Sequence, residues 1–184
     1  VYAGGAQWMN AGSGVIHSER PPHDIHVHGG VQEIIQLWIN TPARFKMSAP
    51  EYFAIPPDGA ASATFDNGKA DVKVFAGDVL GLHGPVVSQT EVNAATLNLR
   101  QGAALNIPLP AAHHVFIYLL DGKVTIDSFG DVDGLHVAVF NNDGDGIALR
   151  ALADTRILLM SGLPLHETVA AHGPFVMNAH HEII

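Results

Sequence analysis

The chain has 184 residues, enough for one ordinary domain or two small ones. Hydrophobic residues make up 47% of it and charged residues 15%, a balance that favours a packed globular protein over a disordered one. Nine scattered basic residues stand against 18 acidic ones, for a net charge of −9, which argues against a phosphate-binding nucleic-acid surface. There is no cysteine, so disulfides, thiolate metal sites and cysteine nucleophiles are all excluded; this fits a cytoplasmic protein. No apolar run reaches the roughly 18 residues that a membrane span needs. The opening "VYAGGAQWMN" has no initiator Met, basic n-region or apolar h-region. It is not a signal peptide and reads like the middle of a domain.

In chain order, Gly and Pro cut the sequence into strand-sized apolar runs. "GVIHSE" and "EIIQLWIN" come first. "DVKVFAG", "ATLNLR", "HVFIYLLDGKVTID", "LHVAVF", "GIALRAL" and "RILLMSG" come after them. Such runs at short spacing predict an all-β sandwich or barrel. "LLDGKVTI" predicts a hairpin with Asp121-Gly122 as its turn. Residues 41–70 have four prolines and little periodicity, which suggests a crossing between two β-units. The expected division is a first unit at 1–45, a linker at 46–69 and a longer second unit at 70–184.

Two constellations could bind a metal. In "VIHSE", His17 and Glu19 alternate with Ile16 and Ser18, so a strand would place the imidazole and the carboxylate on one face. That donor pair suits Fe(II), Zn, Mn or Ni. The plainer reading is a His–Glu pair on a solvated strand face. In "HVHGGVQE", His26 and His28 share a face and a Gly-Gly turn would return Glu33 beside them; this resembles the first cupin metal motif. "GAALNIPLPAAHHVFI", with Gly102, Pro108 and His113, resembles the second. A combined site of His26, His28, Glu33 and His113 is therefore a second candidate, against surface histidines on a polar loop. "NNDGDG" mimics the start of a calcium loop, but Leu152 at the twelfth position cannot chelate, so a turn is expected. No nucleophile elbow is present to support a Ser-His-Asp triad.

Longer stretches point to one family. "QWMNAGSGVIHSE" resembles the hallmark segment of the pirins, a bicupin family, and "IQLWINTPARFKM" is similar to the strand and loop next in order there. "GAALNIPLPAAHHVFIYLLDG" resembles the core of the second pirin cupin, and "LLMSGLPLHETVAAHGPFVMN" the C-terminal signature. The resemblance implies an all-β bicupin of double-stranded jelly-roll type, lacking the N-terminal part of its first cupin and the C-terminal tail, with the second cupin complete. Residues 1–45 would then be the end of the first, metal-binding cupin.

Pirins bind Fe(II) or another divalent metal through three histidines and a glutamate. The resemblance assigns His17 and Glu19 to two of those positions; the upstream His-x-His pair has no counterpart in this chain. His26 and His28 fall in a variable loop of the family and Glu33 in the strand after it. Some pirins resemble quercetin 2,3-dioxygenases in activity. The resemblance therefore implies a metal-dependent dioxygenase acting on a flavonol-like small molecule, with Glu19 as ligand and proton acceptor, and little activity in a chain with two ligands. The alternative is a non-enzymatic regulator: a transcription coregulator or a partner of a metabolic enzyme. Direct nucleic-acid or membrane binding is not expected. Trp8, Ile16 and Trp38 should be exposed where first-cupin strands are missing, favouring self-association.

Overall fold

A computed structural model describes residues 2–184. Its regular structure is almost entirely antiparallel strands, and it forms two compact units, Val1–Asp58 with Leu165–Ile184, and Gly59–Pro164.

The first unit opens with β1 (Ala6–Asn10), which pairs antiparallel with β2 (Glu51–Ile55), Ala6 opposite Ile55 and Asn10 opposite Glu51. Ala6, Trp8 and Asn10 alternate onto the half-buried face, while Gln7 and Met9 point outward. Gly12 then turns the chain at φ +50°, where a Cβ would fall on the Ser48 carbonyl oxygen. Ser13 N–H donates to that same oxygen at 2.9 Å. Between β1 and β2 lie one short helix, α1 (His23–His28), and a 3-10 turn at Ala43–Phe45.

Two strands expected here do not form. Residues 14–22, with "GVIHSE", and 29–42, with "EIIQLWIN", have no regular secondary structure. A strand persists only where a neighbour takes its backbone N–H and C=O groups, and no described strand runs beside these segments. Their apolar side chains are accordingly bare: Ile16 and Val31 are fully exposed and Trp38 is 66% exposed. Trp8 departs from expectation, since pairing of β1 leaves it half-buried.

The second unit is a two-layer sandwich. Its strands are β3 (Ala61–Phe65), β4 (Ala70–Ala76), the small hairpin β5 (Asp78–Val79) and β6 (Leu82–His83), β7 (Val92–Leu99), β8 (Ala104–Pro108), β9 (His114–Asp121), β10 (Lys123–Ile126), β11 (Gly130–Asp133), β12 (Val137–Val139), β13 (Gly146–Ala151) and β14 (Thr155–Gly162). One sheet has the order β12-β9-β14-β7-β4-β3 and the other β11-β10-β13-β8. Alternation along the strands builds the core. Val72/Val74, Leu97/Leu99, Ile117/Leu119 and Ile157/Leu159 face inward from the first sheet, and Leu105/Ile107, Val124/Ile126 and Ile147/Leu149 from the second.

Asp121-Gly122 is not a hairpin turn. β9 pairs with β12 and β14, whereas β10 pairs with β11 and β13, so the chain changes sheets at Gly122. Gly122 has φ +81°, and a Cβ there would overlap the Asp154 carbonyl oxygen and the Thr155 side chain. Lys123 N–H donates to Thr155 Oγ1 (2.9 Å) and Gly134 N–H to the Gly122 carbonyl (2.9 Å), fixing the corner. The Asp-Gly pair does signal a left-handed residue; the path of the chain beyond it is set by the register of the flanking strands, which no local pair encodes.

The linker and the C-terminus also differ from expectation. Residues 46–69 hold β2 and β3, each paired within its own unit. Residues 165–184, expected in the second unit, belong to the first. Here β15 (Ala170–His172) and β16 (Phe175–Met177) form a hairpin, and Glu167 Oε2 accepts from Ala43 N–H (2.8 Å) and Asn178 Nδ2 (3.1 Å). Lys46 is buried beside them and donates to Asn40 Oδ1 at 2.9 Å; burial pushes its ammonium below the usual lysine range, against the pull of Glu167 and Glu182.

Gly122→Ala is expected to cost the second unit at least about 1–2 kcal/mol from the left-handed backbone alone, with side-chain overlap adding to it. Gly144→Ala, whose Cβ meets nothing closer than ordinary van der Waals contact, should stay within about 0.5 kcal/mol of the parent. Urea denaturation of both variants checks this.

Candidate functional site

His17 and Glu19 lie two positions apart in the unpaired segment after Gly12, and both are exposed. They are therefore not on the strand that the alternation predicted. The Gly12–Ser48 contact anchors the start of this segment and Gln36 holds its far part: Gln36 Nε2 donates to Glu19 Oε1 at 3.1 Å. One carboxylate oxygen is thus oriented by an amide, the kind of outer support that metal-ligating carboxylates use. Among the described residues none hydrogen-bonds the His17 side chain. An imidazole and a carboxylate fit a divalent metal by donor type but not by number. Among the described residues no three His, Asp or Glu side chains gather as a metal-ligating group.

The second candidate constellation is not assembled either. His26 and His28 are on α1, which buries none of its residues; Glu33 is exposed in the stretch after it. His113 belongs to the second unit, where it is buried at the start of β9 with both ring nitrogens engaged. Asn93 Nδ2 donates to Ser161 Oγ (3.0 Å), which leaves the serine hydroxyl to donate to His113 Nδ1 (3.1 Å). His113 Nε2–H then donates to Glu91 Oε1 (3.2 Å), whose side chain is 69% exposed against 2% for the histidine. Asn93 Oδ1 closes the chain by accepting Asp78 N–H at 2.9 Å. With each polar atom satisfied, the network braces β7, β9 and β14. The order serine, histidine, carboxylate matches a hydrolase relay, yet Ser161 is buried within β14 and held from both sides.

Sequence reasoning missed Asn93, Ser161 and Glu91, which lie up to 70 positions apart and meet only through the sheet. It also missed Gln36, read as one residue of a strand. A polar residue inside an apolar run, as Ser161 in "ILLMSG", is the signal available for the first set.

Comparison with known proteins agrees with the fold. The model for the pirin C-terminal cupin domain matches residues 94–184 and the pirin model residues 1–39. Mouse pirin is 35% identical over 185 residues, covering 98% of this chain and 61% of that protein. A pirin-like protein of Caulobacter vibrioides is 38% identical over 178 residues, covering 95% and 62%. The crystal structure of a quercetin 2,3-dioxygenase from Acinetobacter baumannii superposes with a TM-score of 0.93 at 32% identity, covering 98% of this chain and 62% of that one. The two sheets are thus those of an all-β cupin. Within that class, the chain belongs to the pirin family. It spans less than two thirds of the length of these relatives.

His113→Ala should leave the buried Ser161 hydroxyl without its acceptor and lower stability by about 1–3 kcal/mol. Glu91→Gln, on the exposed end of the network, should cost less. Chemical denaturation monitored on the second unit measures both.

Proposed function

We propose that this chain is part of a cytoplasmic pirin-like metal-binding cupin protein with oxygenase chemistry of the quercetin 2,3-dioxygenase kind. His17 and Glu19 supply two of its metal donors, for Fe(II) or another divalent cation. The observation that carries the reading is the likeness over nearly the whole chain to a quercetin 2,3-dioxygenase, with the family's "HSE" segment exposed and His17 uncommitted. A divalent metal held there would supply Lewis-acid activation of a substrate hydroxyl. The chain's own share is narrower. Gln36 occupies Glu19 Oε1 and leaves Oε2 for a ligand or for the hydroxyl proton of a flavonol. Two donors do not fix the geometry of a cation, so tight binding needs imidazoles beyond this pair.

A protein partner is the second reading. It is favoured by the bare Ile16, Val31, Ile34 and Trp38, an excess of exposed large apolar side chains of the kind that accompanies interaction sites. Light scattering after size exclusion should show self-association of the 184-residue chain; a clean monomer would count against a sticky face.

For the metal reading, Fe(II) binding is measured by calorimetry on the chain extended upstream with a His-x-His segment. His17→Ala should abolish binding, Gln36→Leu should weaken it by about tenfold or more, and His26→Ala or His28→Ala should leave it unchanged. Loss confined to the His26 or His28 variants would transfer the site to the loop. Flavonol turnover by the metal-loaded protein separates the enzyme from a regulator.

A further inference from the structure

The second unit contains a cavity of about 410 Å³ between its two sheets, at the end bounded by β12 and the 140–146 connection. That size falls within the range of small-molecule pockets, roughly 300–1,000 Å³. Its floor is the buried Ile126 and Ile147, and Phe140 forms a half-buried wall. At its mouth, Phe129 and Val139 are 75% and 77% exposed. A sandwich normally closes such an end with its own side chains; here apolar surface lies bare around a hollow.

The polar atoms narrow what could fill it. Asp127 and Asp143 line the cavity, and no Lys or Arg does. An anion would therefore meet carboxylates without a counter-charge, whereas a hydrogen-bond donor or a cation would meet acceptors. Asp127 sits on a turn at the lip: its Oδ1 accepts Ser128 N–H (3.0 Å), and Ser128 has φ +62°, in the left-handed region. His113 also borders the cavity, but its nitrogens are committed to Ser161 and Glu91, so it offers a ring face and no metal-ligating lone pair.

We propose that this cavity is a binding site for a small aromatic molecule that carries hydrogen-bond donors and no negative charge. It lies wholly in the second unit and requires no metal, so it stands or falls apart from the reading of His17 and Glu19. Three single-ring aromatic probes of like size and different charge test it: benzylamine, benzyl alcohol and benzoate, titrated into the ¹⁵N-labelled 184-residue chain. The first two should shift the amides of Asp127–Phe129 and Ala138–Asp143 saturably, with benzoate at least tenfold weaker. Changing Asp127→Asn together with Asp143→Asn should bring benzylamine down to the affinity of benzyl alcohol and leave the alcohol within twofold. Ala138→Trp should fill the space and remove all three; if that variant fails to fold, the titration of the parent chain decides alone. Shifts confined to the exposed residues of the first unit, benzoate binding as well as the others, or no saturable shift at all would overturn the proposal.

Discussion

Backbone pairing is the constraint on which the rest of this structure depends. Every extended segment must place its N–H and C=O groups somewhere, and a neighbouring strand is the ordinary place. In the second unit each long strand has its neighbours, and the alternating side chains of β4, β7, β9 and β14 close against those of β8, β10 and β13. In the first unit only β1 finds a long partner, β2, and the "HSE" and "QLWIN" segments run unpaired. The same alternation of apolar residues thus gives core in one half and bare Ile16 and Trp38 in the other.

This constraint also shapes the chemistry. A rigid sheet can hold buried polar groups at hydrogen-bond distance, and the second unit uses it to link Glu91, His113, Ser161 and Asn93. The histidine that a cupin motif would offer to a metal is here spent on that brace. His17 and Glu19 have the opposite situation. Their donor atoms are accessible, and among the described residues the Gly12 turn and the Gln36 amide are what restrain their segment. Precise metal geometry comes from ligands locked by surrounding packing, which this segment lacks on its own.

Much of the fold was legible in the sequence. "DVKVFAG", "ATLNLR", "GIALRAL" and "RILLMSG" became β4, β7, β13 and β14 because each alternates or runs apolar at strand length between turn residues. The cupin class came from those runs together with the family segments. Long-range information was not legible. Asp121-Gly122 marks a left-handed corner, and only the pairing of β9 and β10 with different sheets shows that the corner joins two layers. Glu167 ties the last twenty residues to the Ala43 turn through a contact more than a hundred positions apart, and Asn178 steadies its carboxylate. For the candidate site, residue type and family order singled out His17 and Glu19, while the strand expected to carry them needed a partner that local periodicity does not supply.

Native-state hydrogen exchange tests most directly whether pairing governs this chain. Strong protection is expected for the amides of β7, β9 and β14 that donate to neighbouring strands, and almost none for residues 14–22 and 29–42, whose amides lack strand partners. Protection in those two segments equal to that of the second unit's strands would contradict this, and would mean that "HSE" lies on a formed strand after all.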